Sequence, residues 1–397
     1  MLTANTRTGK RISLGYQYNK ETLLVLRRNE EFICPVCGEE VTLKLGEHRI
    51  YHFAHQRKEN CREVYERETE YHMNGKLQLY QWLIGQRIRA ILEYYDSDTQ
   101  QRPDIMFEYN GNKYALEYQC SPIPEDQFIS RTINYFQHGY IPLWIAGNKL
   151  IKTNRKNIYT LSCFTSFFLQ TNKVQQFFIP SYCPEHRLLH FTGPLLTLSP
   201  NNAFAHNHTF PINDLSINFL FEPILTKKIS TGLWNREIEK TNFNWFFHPN
   251  PKQKQFLQEI YRNNLNLFLL PSEIGLPVSH SPLVSTPPTI WQTYLFLDVL
   301  LTKSPGEYIP LLEFEKSFNR RVRKKDIVIR NLPQFEQINP FIAVKEYILL
   351  LESLGMVSIL NDTAIQLNTK LMVPRSNQEK EELKRNFLQK NHTFFLK

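Results

Sequence analysis

Asp104 and Glu117 stand on either side of Asn110-Gly111, in a stretch that runs Arg102-Pro103-Asp104-Ile105-Met106-Phe107-Glu108-Tyr109-Asn110-Gly111-Asn112-Lys113-Tyr114-Ala115-Leu116-Glu117-Tyr118-Gln119. Asn-Gly is the strongest short hairpin signal, because a two-residue turn needs positive φ at both central positions. Counting outward pairs Tyr109 with Asn112, Glu108 with Lys113 and, at the open end, Asp104 with Glu117. Side chains paired in this way lie about 4.5–5.5 Å apart at Cβ. Two carboxylates that close repel and raise each other's pKa unless a cation stands between them. The strand period puts Gln119 on the face of Glu117, with Tyr114, Leu116 and Tyr118 on the other. Oxygen ligands this few suit Mg²⁺ or Mn²⁺ carrying several waters. Without a metal, the same residues read as a turn-opening aspartate and a solvated edge glutamate.

A second constellation lies upstream. Cys34-Pro35-Val36-Cys37-Gly38 places two thiols on a turn closed by glycine, and Ile50-Tyr51-His52-Phe53-Ala54-His55 and Cys61 follow. Zinc takes four such ligands in a tetrahedron, and a module this small buries too little apolar surface to fold without help. The favoured set is Cys34, Cys37, His55 and Cys61, with His52 as the substitute. Four protein ligands close the coordination sphere, so this zinc is structural. Cys183 and His186, three apart without two further clustered ligands, read as incidental.

The elements that must position these residues follow from periodicity. Residues 1–33 alternate short β-like runs, Arg11-Ile12-Ser13-Leu14 and Leu23-Leu24-Val25-Leu26, with polar turns. Residues 63–90 read as one long helix on which Glu68, His72 and Lys76 recur every four residues, with Glu66 and Glu70 beside them. A solvated helix face has the same pattern. Ala90 to Tyr95 is a strand, Glu125 to His138 a helix carrying Arg131 and Tyr135, and Ile141 to Gly147 a buried strand. Helix, strand, hairpin, helix, strand makes an α/β sandwich around a mixed sheet.

Composition sets the outer bounds. The chain has 397 residues, 42% of them hydrophobic and 13% aromatic, which makes it a globular protein of two or three domains and excludes a disordered one. A net charge of +9 favours an anionic partner such as nucleic acid. Six cysteines are few, and three of them fall in one short stretch, which reads as metal binding rather than a disulfide framework. The N-terminal segment lacks an apolar signal region and no apolar run is long enough to span a bilayer, so the expected location is cytoplasmic, with no membrane insertion.

The order of elements, with Pro-Asp opening one strand and Glu-x-Gln on the next, resembles the PD-(D/E)xK nuclease core. Gln119 stands where many members carry Lys, and Lys76 is a substitute from the helix. More narrowly, Cys-Pro-x-Cys, His-Phe-Ala-His, Glu68-Thr69-Glu70-Tyr71-His72 with Lys76, Arg102-Pro103-Asp104, Glu117-Tyr118-Gln119-Cys120-Ser121 and Trp144-Ile145-Ala146-Gly147 are together similar to the competence protein CoiA family. That resemblance covers residues 1–150. It implies a protein that promotes natural transformation, with a zinc-finger-like domain and a restriction-endonuclease-like nuclease domain acting on internalised, single-stranded DNA beside competence and recombination proteins. In that setting Asp104 and Glu117 hold Mg²⁺ or Mn²⁺, Gln119 orients the attacking water, Glu70 or Glu68 completes the metal shell, and His72, Lys76 and Arg131 face phosphates. The alternative is a catalytically inactive DNA-binding or adaptor protein.

The expected domains are a zinc-finger-like β domain at 1–62, a nuclease-like α/β domain at 63–170 and a mainly helical C-terminal domain at 171–397. Prolines punctuate 151–250 as short strands or loops. Helical patterns return at Lys252 to Leu265 and Thr289 to Leu301. The run Arg320-Arg321-Val322-Arg323-Lys324-Lys325 is a candidate phosphate-binding surface. A helix from Phe341 to Leu354 followed by two short strands resembles the end of a winged-helix module.

Overall fold

The computed structural model of the chain describes residues 1–47, 49–55, 61, 69–225 and 229–394. The N-terminal unit comprises β1 (Thr3–Thr6), β2 (Arg11–Ser13), α1 (Lys20–Asn29), β3 (Phe32–Ile33), β4 (Glu40–Lys44) and β5 (His52–His55). Its strands form an antiparallel sheet in the order β2-β1-β3-β4-β5. Ala4, Ile12, Leu23, Phe32, Val41, Leu43 and Phe53 make its small core. The run Leu23 to Leu26, β-like by composition, is helical instead. Asn19 caps α1 by accepting the Thr22 N–H at 2.7 Å, and Arg27 and Arg28 complement the dipole at its end.

The central unit begins with α2 (Glu70–Gly85), capped by Thr69 through the His72 N–H. The expected helix start at 63, with Glu66 and Glu68, lies outside the described residues, and the C-terminal end falls short of 90 at Gly85. Next come β6 (Ala90–Leu92), β7 (Ile105–Tyr109), β8 (Asn112–Gln119), α3 (Glu125–Gln137) and β9 (Tyr140–Gly147). The hairpin register is the one read from the turn. Tyr109 pairs with Asn112 and Ile105 with Leu116, while Asn110 and Gly111 have φ of 49° and 77°.

The sheet does not stop near residue 170. After β10 (Thr153–Arg155), β11 (Ile158–Thr160), the short α4 (Cys163–Ser166) and β12 (Gln170–Thr171), three long strands follow: β13 (Phe177–Cys183), β14 (Leu188–Ser199) and β15 (Asn202–Pro211). Among the described residues one mixed sheet runs β10-β11-β15-β14-β13-β9-β8-β7-β6, with β12 on β13. β9 is parallel to both its neighbours and the other pairs are antiparallel. Prolines are the misleading signal here. Pro180 sits inside β13 because the β9 ladder starts only at Ser181, so no hydrogen bond is lost on that side. Pro194 occupies a register shift between Gly193 and Leu196. α2 and α5 (Ile217–Phe221) cover one face, and α3 with α4 the other.

The C-terminal unit contains β16 (Ile229–Ser230), α6 (Thr231–Phe247), α7 (Pro251–Arg262), α8 (Pro288–Leu295), β17 (Tyr308–Pro310), α9 (Leu311–Arg323), α10 (Ile342–Ser353), β18 (Val357–Asn361), β19 (Ala364–Leu367), α11 (Asn377–Lys390) and β20 (Thr393–Phe394). It is mainly helical and packs on the far end of the large sheet through Leu196 and Phe204 against Trp234. β17, β19 and β18 form a small antiparallel sheet beside α9 and α10.

Candidate active site and metal centre

The hairpin ladder ends at the Ile105–Leu116 pair, and Asp104 stands in the bend one residue before it, beside the strand that carries Glu117. The Tyr118 backbone N–H donates to Asp104 Oδ2 at 2.9 Å, tying the aspartate to the neighbouring strand. Both faces of β8 are covered, so Glu117 and Gln119 are buried along with Leu116 and Tyr118. The solvated edge glutamate is thereby excluded.

The two carboxylates take their partners from opposite layers. From α2, Lys76 Nζ lies 3.1 Å from Asp104 Oδ1, and His72 Nε2 lies 3.4 Å from Asp104 Oδ2. From α3, the Arg131 guanidinium and the Tyr135 hydroxyl both donate to Glu117 Oε1. Burial works against the charge of Arg131, but Glu117 and Tyr135 more than offset it and hold its pKa above the ordinary arginine value. Burial and then the Glu117 charge push the Tyr135 phenol up, so it stays a donor. The repulsion between the acids is therefore relieved by two organic cations already in place.

That geometry changes several expected roles. Lys76 has no exposed surface, so it does not face phosphates; it points inward between two acids. Arg131 grips Glu117 and lies over the Trp144 ring at 5.5 Å instead of reaching outward. Gln119 donates its amide to the Ser121 carbonyl at 2.8 Å, which fixes its orientation. Glu70 is exposed in the first turn of α2.

One residue has no counterpart in the sequence reading. Glu93, just after β6, is buried and ion-paired to Lys76 Nζ at 2.6 Å. An acid ending an apolar run before a polar loop was the available signal.

The donors at the acid pair, two carboxylates and an amide oxygen, are the hard oxygen ligands that Mg²⁺ or Mn²⁺ takes. Gly75 sets the depth of this site. A Cβ there would lie 2.1 Å from the Tyr118 ring, whose backbone N–H holds Asp104. Gly75→Ala is expected to destabilise the chain by about 1–3 kcal/mol through overpacking, read as a lower midpoint in urea unfolding.

In the N-terminal unit, Cys34, Cys37, His55 and Cys61 bring their ligand atoms within 4.8 Å of one another. Gly38, at φ 73°, closes the turn between the first two, and its N–H donates to the Cys34 carbonyl at 3.0 Å. The Val36 N–H approaches Cys34 Sγ at 3.5 Å. Burial and then Arg102 lower the pKa of His55, favouring the neutral imidazole that ligates metals. His52 Nδ1 is 2.9 Å from the Ile50 carbonyl, and His52 stands outside the cluster. Elemental analysis should accordingly find the metal retained in His52→Ala and lost in His55→Ala.

Cys183, Glu185 and His186 also come together, with Sγ 3.3 Å from His186 Nδ1. They offer three ligands, and Glu185 is engaged with Lys149 at 2.6 Å.

The basic run divides by helical phase. Arg321 is buried and ion-paired to Asp298, Glu259 and Asp326, whereas Arg323, Lys324 and Lys325 are exposed and Arg320 pairs with Asp298 at 2.8 Å. Arg321→Ala should cost about 3–5 kcal/mol by stranding buried carboxylates. Replacing the exposed members tests the surface instead. The Arg323→Gln, Lys324→Gln, Lys325→Gln triple variant should keep its stability and lower the salt slope of single-stranded DNA binding by about 2.

Comparison with known proteins adds three matches in chain order. Models of the competence protein CoiA N-terminal, nuclease-like and C-terminal domains match residues 15–63, 68–225 and 229–380. Competence protein CoiA of Bacillus subtilis (strain 168) is 31% identical over 344 residues, covering 84% of this chain and 88% of its own length. No solved structure matches. The nuclease-like match ends near the last strands of the large sheet, in keeping with a unit that extends past residue 170. No helix among the described residues is long and apolar enough to cross a membrane. With its three domains matched in order and a curated relative spanning most of its length, the chain belongs to the competence protein CoiA family.

Proposed function

We propose that this chain serves natural transformation in the cytoplasm as a divalent-metal nuclease that processes internalised single-stranded DNA, alongside competence and recombination proteins. The observation that supports the reading is Asp104, bonded to the Tyr118 N–H at the foot of the hairpin, beside buried Glu117 on β8, in a sheet that helices cover on both faces. Asp104 and Glu117 would hold Mg²⁺ or Mn²⁺, which when bound polarises a phosphate oxygen and lowers the pKa of a coordinated water. Lys76 holds the Asp104 carboxylate from one side, and Arg131 with Tyr135 holds Glu117 from the other. Gln119 orients the attacking water, and His72, partly exposed beside Asp104, meets the phosphate backbone. The Cys34, Cys37, His55 and Cys61 cluster holds a structural zinc.

The test is incubation of the purified chain with labelled single- and double-stranded DNA in Mn²⁺. Cleavage that prefers single strands supports the reading, and intact DNA sinks it.

A second reading, a catalytically inactive DNA-binding or adaptor protein, is favoured by one observation. Gln119 carries no charge and Lys76 is wholly buried, so neither brings an ammonium to the solvent side of the acid pair. Tight, steeply salt-dependent binding without cleavage would select it. A winged-helix regulator fits less well, because α10 carries Lys345 as its one basic residue.

A further inference from the structure

Glu93 holds an unusual backbone conformation. Its φ is 50°, in the left-handed region, which costs a side-chain-bearing residue about 1–2 kcal/mol. Such a conformation persists when its surroundings over-determine it. Here the surroundings are the N-terminal sheet. The backbone N–H groups of Leu2 and Thr3 donate to Glu93 Oε2 at 2.8 and 3.1 Å, and the Thr3 hydroxyl donates to the same oxygen at 3.3 Å. The other carboxylate oxygen meets Lys76 Nζ at 2.6 Å, and the same ammonium meets Asp104.

These links form one chain of contacts from β1 to the acid pair. β1 is itself pinned by the strands that carry metal ligands. Asn5 and Thr6 pair with Ile33 and Phe32, next to Cys34, and the Phe53 N–H, two residues before His55, donates to the Met1 carbonyl at 2.9 Å. Leu2 is fully buried in the nuclease-side core, and Arg11 of β2 donates to the Leu92 carbonyl. The two units are therefore joined at the residue that meets the buried lysine.

We infer that Glu93 is a positioning residue: anchored by the β1 backbone amides, it holds Lys76 against Asp104, so that seating of the Cys34–Cys61 module on the sheet sets the geometry of the acid pair. The catalytic consequence rests on the nuclease reading, whereas the holding of Lys76 does not. Two readouts on the full chain separate them. The first is acetic anhydride labelling of Lys76 read by mass spectrometry, with exposed Lys113 as the internal reference. The second is Mn²⁺-dependent cleavage of a labelled single-stranded oligonucleotide, resolved into kcat and KM.

Glu93→Gln keeps the shape and removes the charge. It is expected to raise Lys76 labelling at least fivefold relative to Lys113 and to lower kcat at least tenfold with KM for DNA unchanged. Glu93→Asp, which keeps the charge but withdraws it by one methylene, gives an intermediate result and stands in if Glu93→Gln does not fold. Cys34→Ser, which frees β3 and hence β1, raises Lys76 labelling in the same direction. Lys76 labelling that stays at the wild-type level in folded Glu93 variants and in Cys34→Ser overturns the inference, even where wild-type cleavage is robust. Labelling that responds while wild-type protein cleaves nothing supports the positioning role and removes the nuclease reading.

Discussion

Asp104→Ala and Glu117→Ala should each lower Mn²⁺-dependent DNA cleavage by about 10³-fold, close to 4 kcal/mol of barrier. Each variant removes a carboxylate from the candidate metal site and takes a partner from the cation that grips it, Lys76 at Asp104 and Arg131 at Glu117. Their effects on stability differ, because the cations left behind differ in environment. Asp104→Ala leaves Lys76 fully buried but still paired to Glu93. Glu117→Ala leaves Arg131 with its side chain 25% exposed, able to recruit water. Product formation over time, with Mn²⁺ titrated in both variants, checks the claim. Wild-type rates in either variant would place the acids outside the chemistry.

Cys34→Ser has the second large effect. Structural zinc contributes on the order of 10 kcal/mol or more of apparent binding energy to small modules, and a serine hydroxyl is a poor substitute for thiolate. Elemental analysis should fall from one zinc per chain to none, and limited proteolysis should open residues 1–62. The loss is not confined to that unit, since Leu2 belongs to the core of the large sheet and the β1 amides hold Glu93. The central sheet should stay folded while becoming less stable to urea. Wild-type protein prepared without chelator and free of zinc would leave the cluster as four unexplained ligands.

The parts of the fold and site that were legible came from local chemistry. Asn110-Gly111 adopts the two positive φ angles its composition demands, and the whole hairpin register follows. The Cys34, Cys37, His55 and Cys61 set emerged because thiol spacing and a glycine-closed turn are short-range signals. What stayed hidden depends on long-range packing. Glu93 takes its role from hydrogen bonds to residues about ninety positions away, which no spacing rule encodes. β13 and β14 were obscured by prolines whose cost vanishes only when the neighbouring ladder is known. Arg321 was readable in principle. It follows Phe314, Ser317 and Phe318 on the inward phase of α9, a period that a count of charges does not weigh.

β9 is parallel to β8, made before it, and to β13, made after it. During synthesis its second edge therefore waits for a strand that begins thirty residues downstream, at Phe177, and is complete at Cys183. At about 5–20 residues per second that delay is a few seconds. Throughout it, Ala146 and Gly147, which pair with Ser181 and Tyr182, lie on an edge without its partner strand. The interval between β9 and β13 thus carries an aggregation risk of its own, and a chain that ends near residue 170 keeps that edge without its partner strand.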